Sequence, residues 1–171
     1  MATDKQLHRA LELLQRKVEK LETDDAVALV NEEIAEIENL DWTPHYEVHK
    51  ASLLRRAERT SEAALLLQDV VGKHPQIDSA NYFAGEYLLE LGQYAKAISF
   101  FSNCIAISIE SGDDWFMDSA HLLRAYCAAK TGDRSLAASD LVDLPDDEEM
   151  SWLAVEPVIS KSSILVMIAT K

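Results

Sequence analysis

The chain has 171 residues, 48% of them apolar, with 30 acidic against 16 basic side chains and a net charge of −14. That length suffices for a substantial core, and 5 Gly with 4 Pro leave little turn chemistry for a many-stranded sheet. The charge repels nucleic acid and anionic lipid, which both demand a cationic face. It would steer a cationic partner in, although it also serves solubility by itself.

The N-terminal stretch M-A-T-D-K-Q-L-H-R-A-L is amphipathic, without the continuous apolar core of a signal peptide. Leu7, Leu11, Leu14, Val18 and Leu21 form one narrow stripe, so a first helix is expected. The stripe covers about two heptads, too few for a coiled coil, so packing on the next helix is expected. Thr23-Asp24-Asp25 offers a cap for a second helix carrying Val27, Val30, Ile34 and Ile37, with Glu32, Glu33, Glu36 and Glu38 on its solvated face. Asp41-Trp42-Thr43-Pro44 separates this helix from the third, with Thr43 as cap and Pro44 in the first turn.

Val48, Ala51, Leu54 and Ala57 mark the third helix. Thr60 or Ser61 caps a fourth, holding Ala63, Ala64, Leu67, Val70 and Val71 and ended by Lys73-His74-Pro75. The fifth opens at Asp78 or Ser79 and closes at Gly92; the sixth runs from Tyr94 to Glu110. A polar turn, Ser111-Gly112-Asp113-Asp114, leads to a seventh from Trp115 to Lys130. An eighth holds Leu136, Ala137, Leu141 and Val142 and stops at Pro145. Asp146-Asp147-Glu148-Glu149 suits the start of a short helix, which Pro157 would end. Ser160 then caps a last helix through Leu165. A strand competes there, because I-L-V-M-I has no helical period, but no second strand is visible to pair with it.

Small residues recur along this series. Ala51, Gly85 and Ala125 stand 34 and 40 residues apart, where paired helices must touch closely. Ala63 in S-E-A-A-L-L-L lies 34 residues before Ala97 in A-K-A-I-S-F-F. Gly92 and Gly132 follow helix ends, where a positive φ is needed. The segment N-Y-F-A-G-E-Y-L-L-E-L-G-Q-Y-A-K-A-I-S-F-F-S-N-C-I, Asn81 to Ile105, carries the pattern best. It resembles the tetratricopeptide repeat family, whose copies run W-x2-L-G-x2-Y, then A-x3-F, then a second Ala and a Pro. Gly85, the pair Ala97 and Phe101, and Cys104 fill those slots, while Asn81 and Leu88 depart from the Trp and Tyr slots. A preceding copy has Ala51, Leu54, Ala63, Leu67, Val70 and Pro75 in register. The following copy has Ala125, Ala128, Gly132, Ala137 and Leu141, about six residues late.

The resemblance implies an all-α fold: a right-handed α-solenoid of antiparallel helix hairpins with about eight to ten helices. It implies a single domain over 1–171, with a degenerate helix pair at 1–43, three repeats at 44–144 and capping helices at 145–171. In the family the first helix of each pair lines a groove that holds a protein or peptide. Carried over, the partner-binding residues are Ser52, Arg55 and Arg56, then Tyr82, Glu86 and Glu90, then Tyr126 and Lys130. Tyr and Arg are the residue types that most often anchor interfaces. The Lys and Asn with which some members clamp a chaperone's terminal carboxylate are replaced here by Val48, Ser52, Phe83, Ser119 and Leu123.

Catalytic signatures are lacking: there is no phosphate-cradling Gly loop, no C-x-x-C and no G-x-S-x-G. His45 and His49 have a zinc-compatible spacing, but Tyr46 stands where the metalloprotease motif needs Glu. No cofactor is expected. Cys104 and Cys127 read as buried thiols in a reducing compartment, and the apolar run Ile164–Ala169 is too short to span a bilayer. The expectation is a cytoplasmic, non-enzymatic binding module for another protein or peptide. It resembles an immunity protein that neutralises a basic bacterial toxin, a chaperone for an export substrate, or a scaffold adaptor; the residues leave these alternatives open, with a metal-dependent enzyme using His45 and His49 as a fourth.

Overall fold

The computed structural model describes residues 4–151 and 158–170. They form nine α-helices with one short antiparallel strand pair, and divide into two compact units, 1–74 and 75–171. Pro157, expected to end a tail helix, lies outside the described residues.

In the first unit, α1 (Asp4–Val18), α2 (Thr23–Glu36), α3 (Thr43–Arg56) and α4 (Thr60–Lys73) pack in sequence order, with a 3-10 turn at Leu40–Trp42. The stripes read from the sequence meet here: Leu14 and Val18 of α1, Ala26 and Val30 of α2, and Tyr46 and Leu53 of α3 form one buried cluster. Leu21, the last member of the α1 stripe, lies past the helix end and is exposed.

In the second unit, α5 (Asp78–Glu90), α6 (Tyr94–Ser111), α7 (Met117–Thr131) and α8 (Arg134–Asp140) pack in the same consecutive manner. The late register of the third copy comes largely from α6, which has 18 residues against 14 in α4. One added helical turn therefore absorbs most of the insertion. After α8 the strands β1 (Glu149–Met150) and β2 (Ile159–Ser160) pair antiparallel, and α9 (Lys161–Ala169) packs on α7 and α8.

Three turns repeat atom for atom. Arg59 N donates to Leu54 O at 3.0 Å, Gln93 N to Leu88 O at 2.8 Å and Asp133 N to Ala128 O at 2.8 Å. Beside each, the preceding N–H closes a tighter bond: Glu58 to Arg55 O, Gly92 to Leu89 O and Gly132 to Ala129 O. This is the Schellman arrangement, which needs a left-handed residue after the helix. Gly92 (φ +71°) and Gly132 (φ +89°) supply it without strain, and Glu58 (φ +62°) supplies it in the first unit as the one non-Gly residue with positive φ among those described.

The small-residue positions do what the spacing requires. A Cβ added at Gly85 would lie 2.8 Å from the Phe101 ring, so α5 and α6 approach closely only because no side chain intervenes. Ala51 and Ala125 are 0% exposed, and the positions in register with Phe101 hold Leu67 and Leu141, both buried. The smaller residue thus faces the larger ring, and the two alanines accompany leucines.

Two expectations need correction. Thr23, Thr43 and Thr60 do not cap; each is the first helical residue, and Glu22, Trp42 and Arg59 hold the cap positions without a side-chain bond, while Asp78 opens α5 as expected, after Ile77. The preceding carbonyls already accept the first intrahelical bonds, as Ala26 N to Glu22 O at 2.9 Å and Asn81 N to Ile77 O at 3.1 Å show. Asp133 and Ser160 do cap, through Leu136 N and Ser163 N, the latter within a full capping box. The second correction concerns the acidic tract, where residues 146–148 turn and Glu149–Met150 enter a strand instead of starting a helix. The missing partner strand is Ile159–Ser160, just before α9. Met150 and Ile159 are 1% and 0% exposed, so burying this facing pair decides the local structure.

Candidate partner-binding surfaces

The residues carried over for the groove fall on both units and have different surroundings in each. On α3, Ser52 and Arg55 are half-buried and Arg56 is exposed. On the same helix, Lys50 donates to Asn31 Oδ1 of α2 at 2.7 Å. These groups give α3 a net positive charge, as α1 also has, in a chain that is acidic as a whole.

In the second unit Tyr82, Glu86 and Tyr126 are 3%, 4% and 1% exposed, while Glu90 and Lys130 are half-buried. Tyr82 lies at the centre of an aromatic cluster, stacked on Phe116 at 4.5 Å and edge-on to Phe83 at 5.3 Å and Phe101 at 6.1 Å. Burial pushes its phenol well above the ordinary range, and nearby Glu86 adds to the effect. Its hydroxyl lies 4.0 Å from Met150 Sδ. Tyr126 packs edge-on against Tyr94 at 6.1 Å, and Lys130 Nζ lies 4.9 Å from the centre of its ring. The strand segment after α8 is thus laid against the first helices of its own hairpins: Met150 against Tyr82 of α5, and β2 against α7.

A polar cluster that sequence reasoning missed ties α6, α7 and α8 together. Arg124 donates to Asp140 through Nε (2.8 Å to Oδ2) and Nη2 (2.6 Å to Oδ1), a bidentate pair, and through Nη1 to Ser102 Oγ at 3.0 Å. His121 Nδ1 lies 2.9 Å from Asp140 Oδ1, and Ser102 passes the chain to Ile98 O at 2.8 Å. The Asp140 side chain is 2% exposed and that of Arg124 14%. Burial works to raise the Asp140 carboxyl, but the hydrogen bonds and charges of Arg124 and His121 outweigh it and hold the group below the ordinary carboxylate range. The sequence signal was faint: α7 presents His121 and Arg124 three residues apart on one side, opposite a lone Asp at the end of α8.

His45 and His49 do not build a metal centre. Burial lowers the His49 pKa, the neighbouring Arg56 charge lowers it further, and its Nε2 is enclosed without a hydrogen-bond partner. Among the described residues no three His, Cys, Asp or Glu side chains converge as metal ligands. Cys104 and Cys127 are both buried free thiols, and burial raises both, Cys104 up to about 12, the opposite of the lowered pKa of a reactive cysteine. No described helix is long and apolar enough to cross a membrane.

Comparison with known proteins agrees with this geometry. Residues 49–106 match the tetratricopeptide repeat family model. Two solved structures from Podosopora anserina, one of putative kinesin light chain nearly identical TPR-like repeats and one of a Gln-to-Met variant of them, share the fold. Their TM-scores are 0.61 and 0.62, at 17% identity over 82% of this chain and 74% of theirs. No curated protein matches the chain. The left-handed turns at Glu58 and Gly92 and the Gly85–Phe101 approach all fall within the matched segment, so residues 49–106 are similar to the tetratricopeptide repeat family and the chain shares the helical-repeat fold of those solved structures.

Proposed function

We propose that the chain is a non-enzymatic module that holds a partner protein through its helical repeats, and that the partner is a basic toxin which it neutralises in the manner of an immunity protein. Tetratricopeptide repeats are protein–protein interaction modules. The observation that carries the finer reading is the charge: a net −14 on a repeat scaffold favours a cationic partner and accelerates its encounter. On this reading α3 supplies the orienting contacts, since Arg56 is exposed and guanidinium groups anchor interfaces by forked hydrogen bonds and by stacking.

Isolation of the native complex, followed by stopped-flow association at rising salt, tests it. The expected result is a one-to-one complex with a basic protein whose association rate falls by about tenfold or more between low and physiological salt. The double variant Arg55→Ala, Arg56→Ala should speed dissociation of that complex severalfold without slowing association with the basic partner, and an unchanged dissociation rate removes α3 from the interface. Recovery of no partner, together with turnover by the purified chain, overturns the reading.

A second reading, a chaperone for an export substrate, draws support from the second unit. There the extended pair Glu149–Met150 lies by the Tyr82 face of α5, the posture an unfolded segment of a client would take. A complex formed with a short unfolded segment, with little salt dependence, would favour it over toxin neutralisation.

A further inference from the structure

Between the start of α1, the end of α2 and the start of α3 the first unit holds a cavity of about 430 Å3. Trp42, Tyr46 and Ile37 line it together with Glu36 and Glu38, and the amides Gln6 and Asn39 complete the lining. Trp42 and Ile37 are only partly buried against the core cluster, so their remaining surface is available to the cavity. Glu36 and Glu38 are both exposed. A nearby cation, Lys17, is engaged elsewhere: its ammonium bonds Glu33 Oε1, which together with the Glu33 charge raises the Lys17 pKa, with a lesser contribution from Glu36.

Aromatic and aliphatic lining that shares a cavity with two carboxylates matches one class of ligand, an alkyl chain that ends in a positive charge. The methylene stem of such a chain gains from desolvation against Trp42 and Ile37. The cationic head is attracted by aromatic faces and by Glu36 and Glu38. A neutral alkyl chain would satisfy the wall and leave the acids unused, and an anion would be repelled. The volume lies within the range of pockets that hold small ligands, roughly 300–1,000 Å3.

We propose that this cavity is a receptor for a lysine side chain on a basic partner, separate from the α3 face that carries Arg55 and Arg56. The inference rests on the protein-binding reading for its biological partner, but the cavity chemistry can be tested without that partner. The full chain, labelled with 15N in its tryptophan indoles, is titrated with the peptide acetyl-(Gly-Lys)4-amide and with the same peptide carrying norleucine for lysine. The lysine peptide should shift one of the three tryptophan indole signals, the one that Trp42→Phe deletes. The norleucine peptide, which keeps the apolar contact and lacks the charge, should shift it only at concentrations about fivefold higher. The double variant Glu36→Gln, Glu38→Gln alters two exposed residues and should weaken the lysine peptide by about fivefold.

Equal shifts from the norleucine peptide would overturn the proposal in favour of a purely apolar pocket. An unmoved Trp42 signal, or binding unchanged in the double glutamine variant, would overturn it as well. None of these three outcomes touches the native complex described above, whose loss would in turn leave the peptide titration unaffected.

Discussion

The two units use one local plan with different contents. In the first, the left-handed turn residue is Glu58, the small residue on the first helix is Ala51, and the position in register with Phe101 is Leu67. Its ion pairs include the surface grouping of Arg59 with both Asp24 and Glu62. In the second, the turn residues are Gly92 and Gly132, Gly85 admits the Phe101 ring, and a buried bidentate ion pair ties α6, α7 and α8. Exposed ion pairs contribute little, whereas an enclosed one is costly to break. The first helices of the hairpins differ as well. On α3 the face carried over from the family keeps exposed charge at Arg56, while on α5 and α7 the corresponding Tyr82 and Tyr126 are packed away, with Met150 and β2 beside them.

The hardest way to break the second unit is to remove one partner of its buried pair. Asp140→Ala leaves Arg124 enclosed without its carboxylate and should cost about 3–5 kcal/mol in denaturant unfolding. The same pair sets an acid limit. Because the folded pKa of Asp140 lies below its unfolded value, its contribution is complete above the ordinary carboxylate range and is lost as pH falls through the lowered folded value. Asp140→Asn should remove that part of the acid sensitivity, read as a flatter stability curve below about pH 4.

A smaller and sharper effect is expected at the helix crossing. Gly85→Ala places a Cβ 2.8 Å from Phe101, and overpacking of this kind should cost about 1–3 kcal/mol. Adding Phe101→Leu reproduces the Ala-with-Leu combination that the chain itself uses at Ala51 and Leu67 and at Ala125 and Leu141. The double variant should recover much of the loss. If the two substitutions are simply additive in thermal unfolding, the crossing is not set by that contact.

The smallest effects test the turns. Gly92→Ala forces a left-handed alanine and should destabilise by about 1 kcal/mol. Glu58→Gly relieves the same conformation in the first unit and should stabilise by up to about 1 kcal/mol, less the entropy glycine adds to the unfolded chain. Opposite signs from a residue pair 34 positions apart would show that the two turns are one device built with different residues. The same sign at both would refute it.

Much of the helical plan was legible because it depends on neighbours in sequence. Period and small-residue spacing located α1 to α8, and Gly92 and Gly132 announced their own positive φ. Ser160 was recognisable as a cap for the same reason. Glu58 was not legible as a turn residue, because its side chain gives no hint; the 34-residue register alone points to it. The strand pair was missed because two-residue strands carry no period, and the signal for Met150 is Ile159, which is distant along the chain.

The candidate surface divides in the same way. The sequence alone determined the order of the helices, the repeat interval, the identity of the close-contact positions and the acidity that constrains any partner. Only the tertiary structure decided which of the side chains carried over from the family remain accessible, that Arg124 and Asp140 form a buried pair, and that Trp42 and Tyr46 share a cavity with Glu36 and Glu38. The reason is range. A helix and its turns are fixed by interactions over three to five residues, whereas burial and the meeting of opposite charges depend on which distant segments fold against the same face.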